Sequence, residues 1–117
     1  MSRSDEIIKD FAELLVKHVT KETSVEFYAE KICISKQYLS LIVKDKTRVT
    51  IGTIISAMRA AAAARLLRDP KHTIQQVAEE LSFADQSSFG KFFKKHSGLS
   101  PLKYRQNLRK TLLTLRQ

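Results

Sequence analysis

One residue pattern occurs twice in this 117-residue chain, and it constrains the fold more tightly than composition does. In the later copy Ile74, Val77, Ala78 and Leu81 fall at i, i+3, i+4 and i+7, the spacing of one apolar helix face. A tight turn follows, and then a second helical pattern with Phe89, Phe92 and Phe93 on one side and polar or basic residues on the other. The earlier copy matches it at an offset of 49: Ser24 for Thr73, Val25 for Ile74, Ala29 for Ala78 and Ile32 for Leu81. After the turn the offset is 50: Leu39 for Phe89, Ile42 for Phe92, Val43 for Phe93 and Lys44 for Lys94. A single extra residue near Ala84 lengthens the second turn. Two copies of one helix-turn-helix plan are therefore expected.

The remaining segments complete an all-α reading of about seven helices, with no competing strand signal. Ser4 is the expected N-cap of a first helix over 5–19, with Asp5 and Glu6 suited to the positive end of its dipole. Ile7, Phe11, Leu14, Leu15 and Val19 give that helix its buried stripe. Ser24 caps a second helix reaching about Lys31, with Tyr28, Ala29 and Ile32 inward. Ser35 caps a third, with Leu39, Ile42 and Val43 inward and Lys36, Gln37, Ser40 and Lys44 outward. A long helix over 51–68 would extend roughly 27 Å at 1.5 Å per residue before Asp69-Pro70 ends it. Thr73 caps the fifth helix, the sixth starts at about Gln86 and stops at Gly98, and Ser100-Pro101 opens the seventh. The resulting organisation is 1–50 for the first helix and first helix-turn-helix, 51–69 for a linker helix, and 70–117 for the second helix-turn-helix and the C-terminal helix.

Charge narrows the partner. The net charge is +9, yet residues 1–34 are net −2 while residues 85–117 hold eight Lys/Arg against one acidic residue. That balance favours a polyanion. A helix fits the major groove of B-DNA, where outward polar side chains meet base edges and flanking cations meet phosphates. Two such helices on one face suit successive grooves about 34 Å apart, so one copy of the chain would suffice. The lone Cys33 excludes an internal disulfide framework and any multi-cysteine zinc site; a buried thiol in a reducing cytoplasm is expected. No signal peptide is visible, and the most apolar run, 51–67, is interrupted by Arg59 and Arg65, which argues against a membrane. No metal or cofactor is expected, because His18 and His72 have no ligand constellation around them. Asp85, Ser88 and His96 lie on or beside one short helix without a nucleophile elbow or oxyanion loop, so an enzyme is not expected either.

These residues resemble the DNA-binding domain of the AraC/XylS family of bacterial transcription regulators. The most specific matches are Ile74-x-x-Val77-Ala78-x-x-Leu81-x-Phe83, Gln86-Ser-x-Phe89-x-x-x-Phe93-Lys94, and Gly98-Leu-Ser-Pro101-Leu-x-Tyr104-Arg105. The first half agrees through Ala29, Ser35, Tyr38-Leu39-Ser40 and Lys44, and the linker through Arg59, Ala63 and Leu66-Leu67. The resemblance implies sequence-specific binding to double-stranded DNA and control of transcription, usually activation by contact with RNA polymerase. It implies base reading by Lys36, Gln37 and Ser40 in one helix and by Gln86, Ser87 and Lys91 in the other. Lys44, Lys46, Lys94, Lys95 and Arg105 would hold phosphates.

Three positions depart from the family pattern: Leu41 where arginine is common, Arg48 where a glycine normally follows the first reading helix, and Ser82 in place of the second turn's glycine. The first reading helix is accordingly expected to give less specificity than the second. Family members often carry a sensor or dimerising domain ahead of this one, through which a dimer could form; the chain is either a stand-alone regulator or a C-terminal fragment, and the acidic first helix and abrupt start favour the fragment slightly. The competing readings are a helical protein-interaction module using Leu108, Leu112 and Leu115, and a DNA-targeting piece of a larger multidomain regulator or enzyme.

Overall fold

The computed structural model describes residues 2–116. Seven helices follow one another: α1 Arg3–His18, α2 Val25–Ile32, α3 Lys36–Thr47, α4 Ile51–Leu67, α5 Ile74–Glu80, α6 Gln86–Ser97 and α7 Pro101–Leu115. No strand occurs among the described residues, so the all-α reading stands. Side-chain caps explain where the helices begin. Ser24, Ser35, Thr73 and Ser100 each accept a hydrogen bond from the backbone N–H three residues on, at 3.0 to 3.2 Å. Thr73 forms a full capping box, with the Gln76 side chain accepting from the Thr73 N–H in return.

The start of α1 differs from the sequence reading. Ser2, not Ser4, is the N-cap, accepting from the Asp5 N–H at 3.1 Å, and Ser4 lies inside the helix. Both serines precede acidic residues. Only Ser2 places Asp5 at the third helical position, where a cap oxygen finds its donor.

The chain forms two compact units, Met1–Met58 and Arg59–Gln117. In the first, Ile7, Phe11, Leu15 and Val19 of α1 and its end pack with Tyr28, Ala29 and Ile32 of α2 and with Leu39, Ile42 and Val43 of α3. Ile51 and Ile55 of α4 close that core. Tyr28 is completely buried, with Phe11 and Phe27 set edge-on against it at 5.6 and 5.1 Å, and its hydroxyl donates to the Glu22 carbonyl at 2.8 Å. In the second unit Ala62, Ala63 and Leu67 of α4 pack with Val77, Ala78, Leu81, Phe89 and Phe93. Phe92 departs from its expected burial: it is half-buried, spread between the rings of Phe83 and His96 at 5.2 and 4.7 Å.

The duplication extends into the turns. Among the described residues, four hold positive φ: Cys33 (65°), Arg48 (64°), Ser82 (63°) and Gly98 (84°). Cys33 and Ser82 are related by the offset of 49, and Arg48 and Gly98 by the offset of 50. After each left-handed residue of the inner turn, the next N–H reaches back five residues: Ile34 to the Ala29 carbonyl and Phe83 to the Ala78 carbonyl, both at 3.0 Å. Cys33 is exposed because it occupies this turn, which corrects the expected buried thiol. At the outer turns, Arg48 and Gly98 donate to the carbonyls of Lys44 and Lys94 at 2.9 and 2.8 Å. A hydroxyl clasp is repeated beside them. Thr47 Oγ1 donates to the Val43 carbonyl (2.7 Å) and accepts from the Val49 N–H (3.2 Å); Ser97 Oγ does the same with Phe93 (2.8 Å) and Leu99 (3.2 Å).

Candidate nucleic-acid interface

The inward residues of α3 and α6 leave a defined outward stripe on each helix. Positions i, i+4 and i+7 share a face, which aligns Gln37, Leu41 and Lys44 on α3 and Ser87, Lys91 and Lys94 on α6. All six are exposed. Lys36 and Gln86 are exposed at the first position of each helix, and Ser40 is half-buried at the edge of the α3 stripe. Each expected base-reading group thus lies on the outward side of its helix or at its margin. An open groove of about 700 Å³ runs along α3, lined by Lys36, Gln37, Ser40, Leu41 and Lys44 on one side and by Val25, Glu26 and Ile51 on the other.

The cations of the two helices are not equivalent. Lys36 Nζ lies 2.8 Å from Glu26 Oε1, tying α3 to α2, and its donation holds the Glu26 carboxyl below the ordinary carboxylate range. Lys46 Nζ lies 3.4 Å from Asp5 Oδ1. The Asp5 carboxyl is lowered first by the Ser2 hydroxyl and then by that ammonium. Lys44 Nζ is 3.3 Å from the Arg48 carbonyl, a neutral partner. On α6, Lys94 and Lys95 are exposed and enter no ion pair among the described residues. Counted by unit, the first has nine Lys/Arg against eight Asp/Glu, net +1, and the second twelve against four, net +8.

Arg105, expected to hold a phosphate, is half-buried and donates within its own unit. Its Nε donates to the Leu67 carbonyl at 3.0 Å, and its Nη2 to the carbonyls of Asp69 and His72. The guanidinium satisfies the end of α4 and the loop beyond it, since the last carbonyls of a helix have no partner of their own. Two further groups escape sequence reasoning. Arg59 is buried, 5% exposed, donating to the Leu81 carbonyl at the end of α5 with its guanidinium carbon 5.2 Å from the Phe83 ring centre. Asp85 caps α6: its Oδ1 accepts from the Ser88 N–H at 2.7 Å, and that bond holds its carboxyl low. The signal for Asp85 is present in the sequence, an Asp immediately before an outward-polar helix. For Arg59 the family resemblance singles out the position, but residue type and spacing alone do not reveal that it is buried.

The ring of Tyr104 packs edge-on to Phe93 at 5.3 Å, as a packing residue should. Among the described residues no cluster of His, Cys, Asp and Glu is placed to hold a metal ion, and no single helix is long and apolar enough to cross a membrane.

A helix-turn-helix domain family matches residues 28–107, spanning the whole of α3, α4, α5 and α6. The chain belongs to the AraC/XylS-type helix-turn-helix family. It is a sequence-specific DNA-binding regulator of transcription, from a family that is not enzymatic. Among AraC/XylS relatives, it is similar to the regulatory protein SoxS of Escherichia coli K12, 28% identical over 102 residues that cover 87% of this chain and 95% of SoxS. It is also similar to the Msm operon regulatory protein of Streptococcus mutans, 32% identical over 80 residues, but these cover 68% of this chain and 29% of that much longer protein. In structure it resembles the C-terminal domain of AraT, a response regulator from Geobacillus stearothermophilus, with a TM-score of 0.82 and 29% identity over 91% of this chain and 88% of that one.

Proposed function

We propose that α3 and α6 each enter a major groove of one DNA duplex, and that the chain acts in the bacterial cytoplasm as an activator that contacts RNA polymerase. The observation that carries the two-groove reading is the pair of equivalent outward stripes, Gln37–Leu41–Lys44 and Ser87–Lys91–Lys94, each presented by a duplicated turn. One chain supplies both reading helices, so the footprint requires no second copy. Lys36, Gln37 and Ser40 read bases in one half-site, and Gln86, Ser87 and Lys91 in the other. Lys44, Lys46, Lys94 and Lys95 meet phosphates, with Lys46 the weakest contributor because Asp5 already holds it. Arg105 fixes the loop after α4 through its donations to the Leu67 and His72 carbonyls, beside the phosphate contact that the family resemblance implies for it.

The test is selection of bound duplexes from a random pool, followed by binding at rising salt. Two separated preferred segments are expected in the selected sequences. Affinity should fall by about 10³ or more between roughly 50 and 200 mM salt if six or more phosphates are neutralised. Enrichment of a single segment would refute the two-groove reading, and a salt-independent affinity would refute phosphate recognition. Transcription from a promoter bearing the selected site, with purified polymerase, tests activation directly.

A further inference from the structure

Leu41 stands in the centre of the α3 reading stripe with 67% of its surface exposed. The core does not need it: Leu39, Ile42 and Val43 supply that side of α3. Its neighbours on the stripe are Gln37 one turn before and Lys44 one turn after, and the repeat places it at the position of Lys91 on α6. Tyr38, 43% exposed, extends the apolar area to one side. An isobutyl group is thus held out in water at the point where the equivalent helix presents an ammonium.

We propose that Leu41 is a specificity-determining residue that packs on the C5-methyl of a thymine in the major groove. The proposal rests on α3 entering DNA. Of the groups displayed on the major-groove edges of the bases, the thymine methyl is the apolar one, and the rest are donors or acceptors. Against those, leucine would strip water from a polar group without replacing its hydrogen bond, which is unfavourable. Against the methyl it buries apolar surface on both partners. The occupant is indicated by charge: Lys44, one turn beyond the leucine, is held only by a neutral carbonyl, whereas Lys36 is already paired with Glu26, so an anionic surface is the one Lys44 draws to this stripe. The two half-sites are therefore read by different chemistry, with a methyl contact under α3 and a cationic contact at the matching position under α6.

The probe is a duplex recovered by selection, with each thymine replaced in turn by deoxyuridine, which removes the methyl and nothing else. Replacement at one or two positions in the α3 half-site should weaken binding about fourfold, the value of one buried methyl-sized group. Leu41→Ala, an exposed change that leaves the core intact, should bind the thymine and deoxyuridine duplexes equally at those positions. It should retain any sensitivity elsewhere. If no thymine in that half-site is sensitive, or if the sensitivity survives in Leu41→Ala, the proposal is overturned while DNA binding stands. A pool from which nothing enriches overturns the underlying reading as well.

Discussion

The two helix-turn-helix units share their backbone plan down to the hydroxyl that clasps the end of α3 and of α6, yet they distribute their charge differently. The first is nearly neutral, and two of the cations on its reading helix are tied to Glu26 and Asp5. The second is net +8, and Lys94 and Lys95 enter no ion pair among the described residues. The helices ahead of each helix-turn-helix differ as well: α1 buries Ile7, Phe11 and Leu15, whereas α4 buries Arg59, Ala63 and Leu67 at the same spacing. The backbone requirements of a helix-turn-helix unit are met twice, while the surface chemistry has diverged. Shared caps and turns fix where a side chain points; they do not fix what it reads.

The largest expected effect tests the buried arginine of α4. Arg59→Ala should destabilise the protein by about 2–3 kcal/mol, because it leaves the Leu81 carbonyl without its charged donor. Urea unfolding measures this, and a loss well below about 1 kcal/mol would mean that the guanidinium serves only to fill space.

The next contrast is in specificity. Lys91→Ala should relax preference at one base pair by about 1–3 kcal/mol, whereas Lys94→Ala should weaken all duplexes alike and reduce the salt slope by about one. Gln37→Ala should cost less discrimination than Lys91→Ala, and equal losses in competition binding would erase the asymmetry between α3 and α6.

Smaller still is the difference at the outer turns. A side chain in the left-handed region costs about 1–2 kcal/mol, so Gly98→Ala should lose about 1 kcal/mol. Arg48→Gly should gain somewhat less, because glycine also loosens the unfolded chain. Melting curves of the two variants should move in opposite directions.

The smallest effect is on acidification. Asp5, Glu26 and Asp85 all have carboxyls lowered by their partners. Their contribution is therefore complete above the ordinary carboxylate range near about pH 4 and is lost as pH falls through the lowered folded values. The Asp85 carboxyl is held by the Ser88 N–H within α6 itself, whereas Asp5 and Glu26 tie separate helices of the first unit together. Amide exchange between about pH 5 and 3 should show α1 and α2 loosening before α5 and α6. Uniform loosening would remove that distinction.

Most of this architecture is legible in the residues because helix periodicity and capping act locally. Thr73, Ser100-Pro101 and the inward positions of α3 each follow from spacing alone, and the structure keeps them. The differences arise where two local signals compete or where a long-range contact decides. Ser2 and Ser4 are both good caps, and only the donor three residues on separates them. Cys33 reads as buried by residue type, but its register with Ser82 places it in the exposed turn, a signal the repeat already contains. Arg59 and Arg105 resist a sequence reading because their partners lie 22 to 38 residues away, at carbonyls that become orphaned only when the helices end. The outward positions of the candidate interface follow from helix phase. The ion pairs that occupy Lys36 and Lys46 do not, because they join different helices.

The left-handed residues also bear on the order of events in folding. Non-glycine residues visit that region only a few per cent of the time, whereas glycine enters it about as readily as the right-handed one. The end of α6, closed by Gly98, therefore has an easier conformational search than the end of α3, closed by Arg48. Of the two outer turns, the one in the more basic unit is expected to close first.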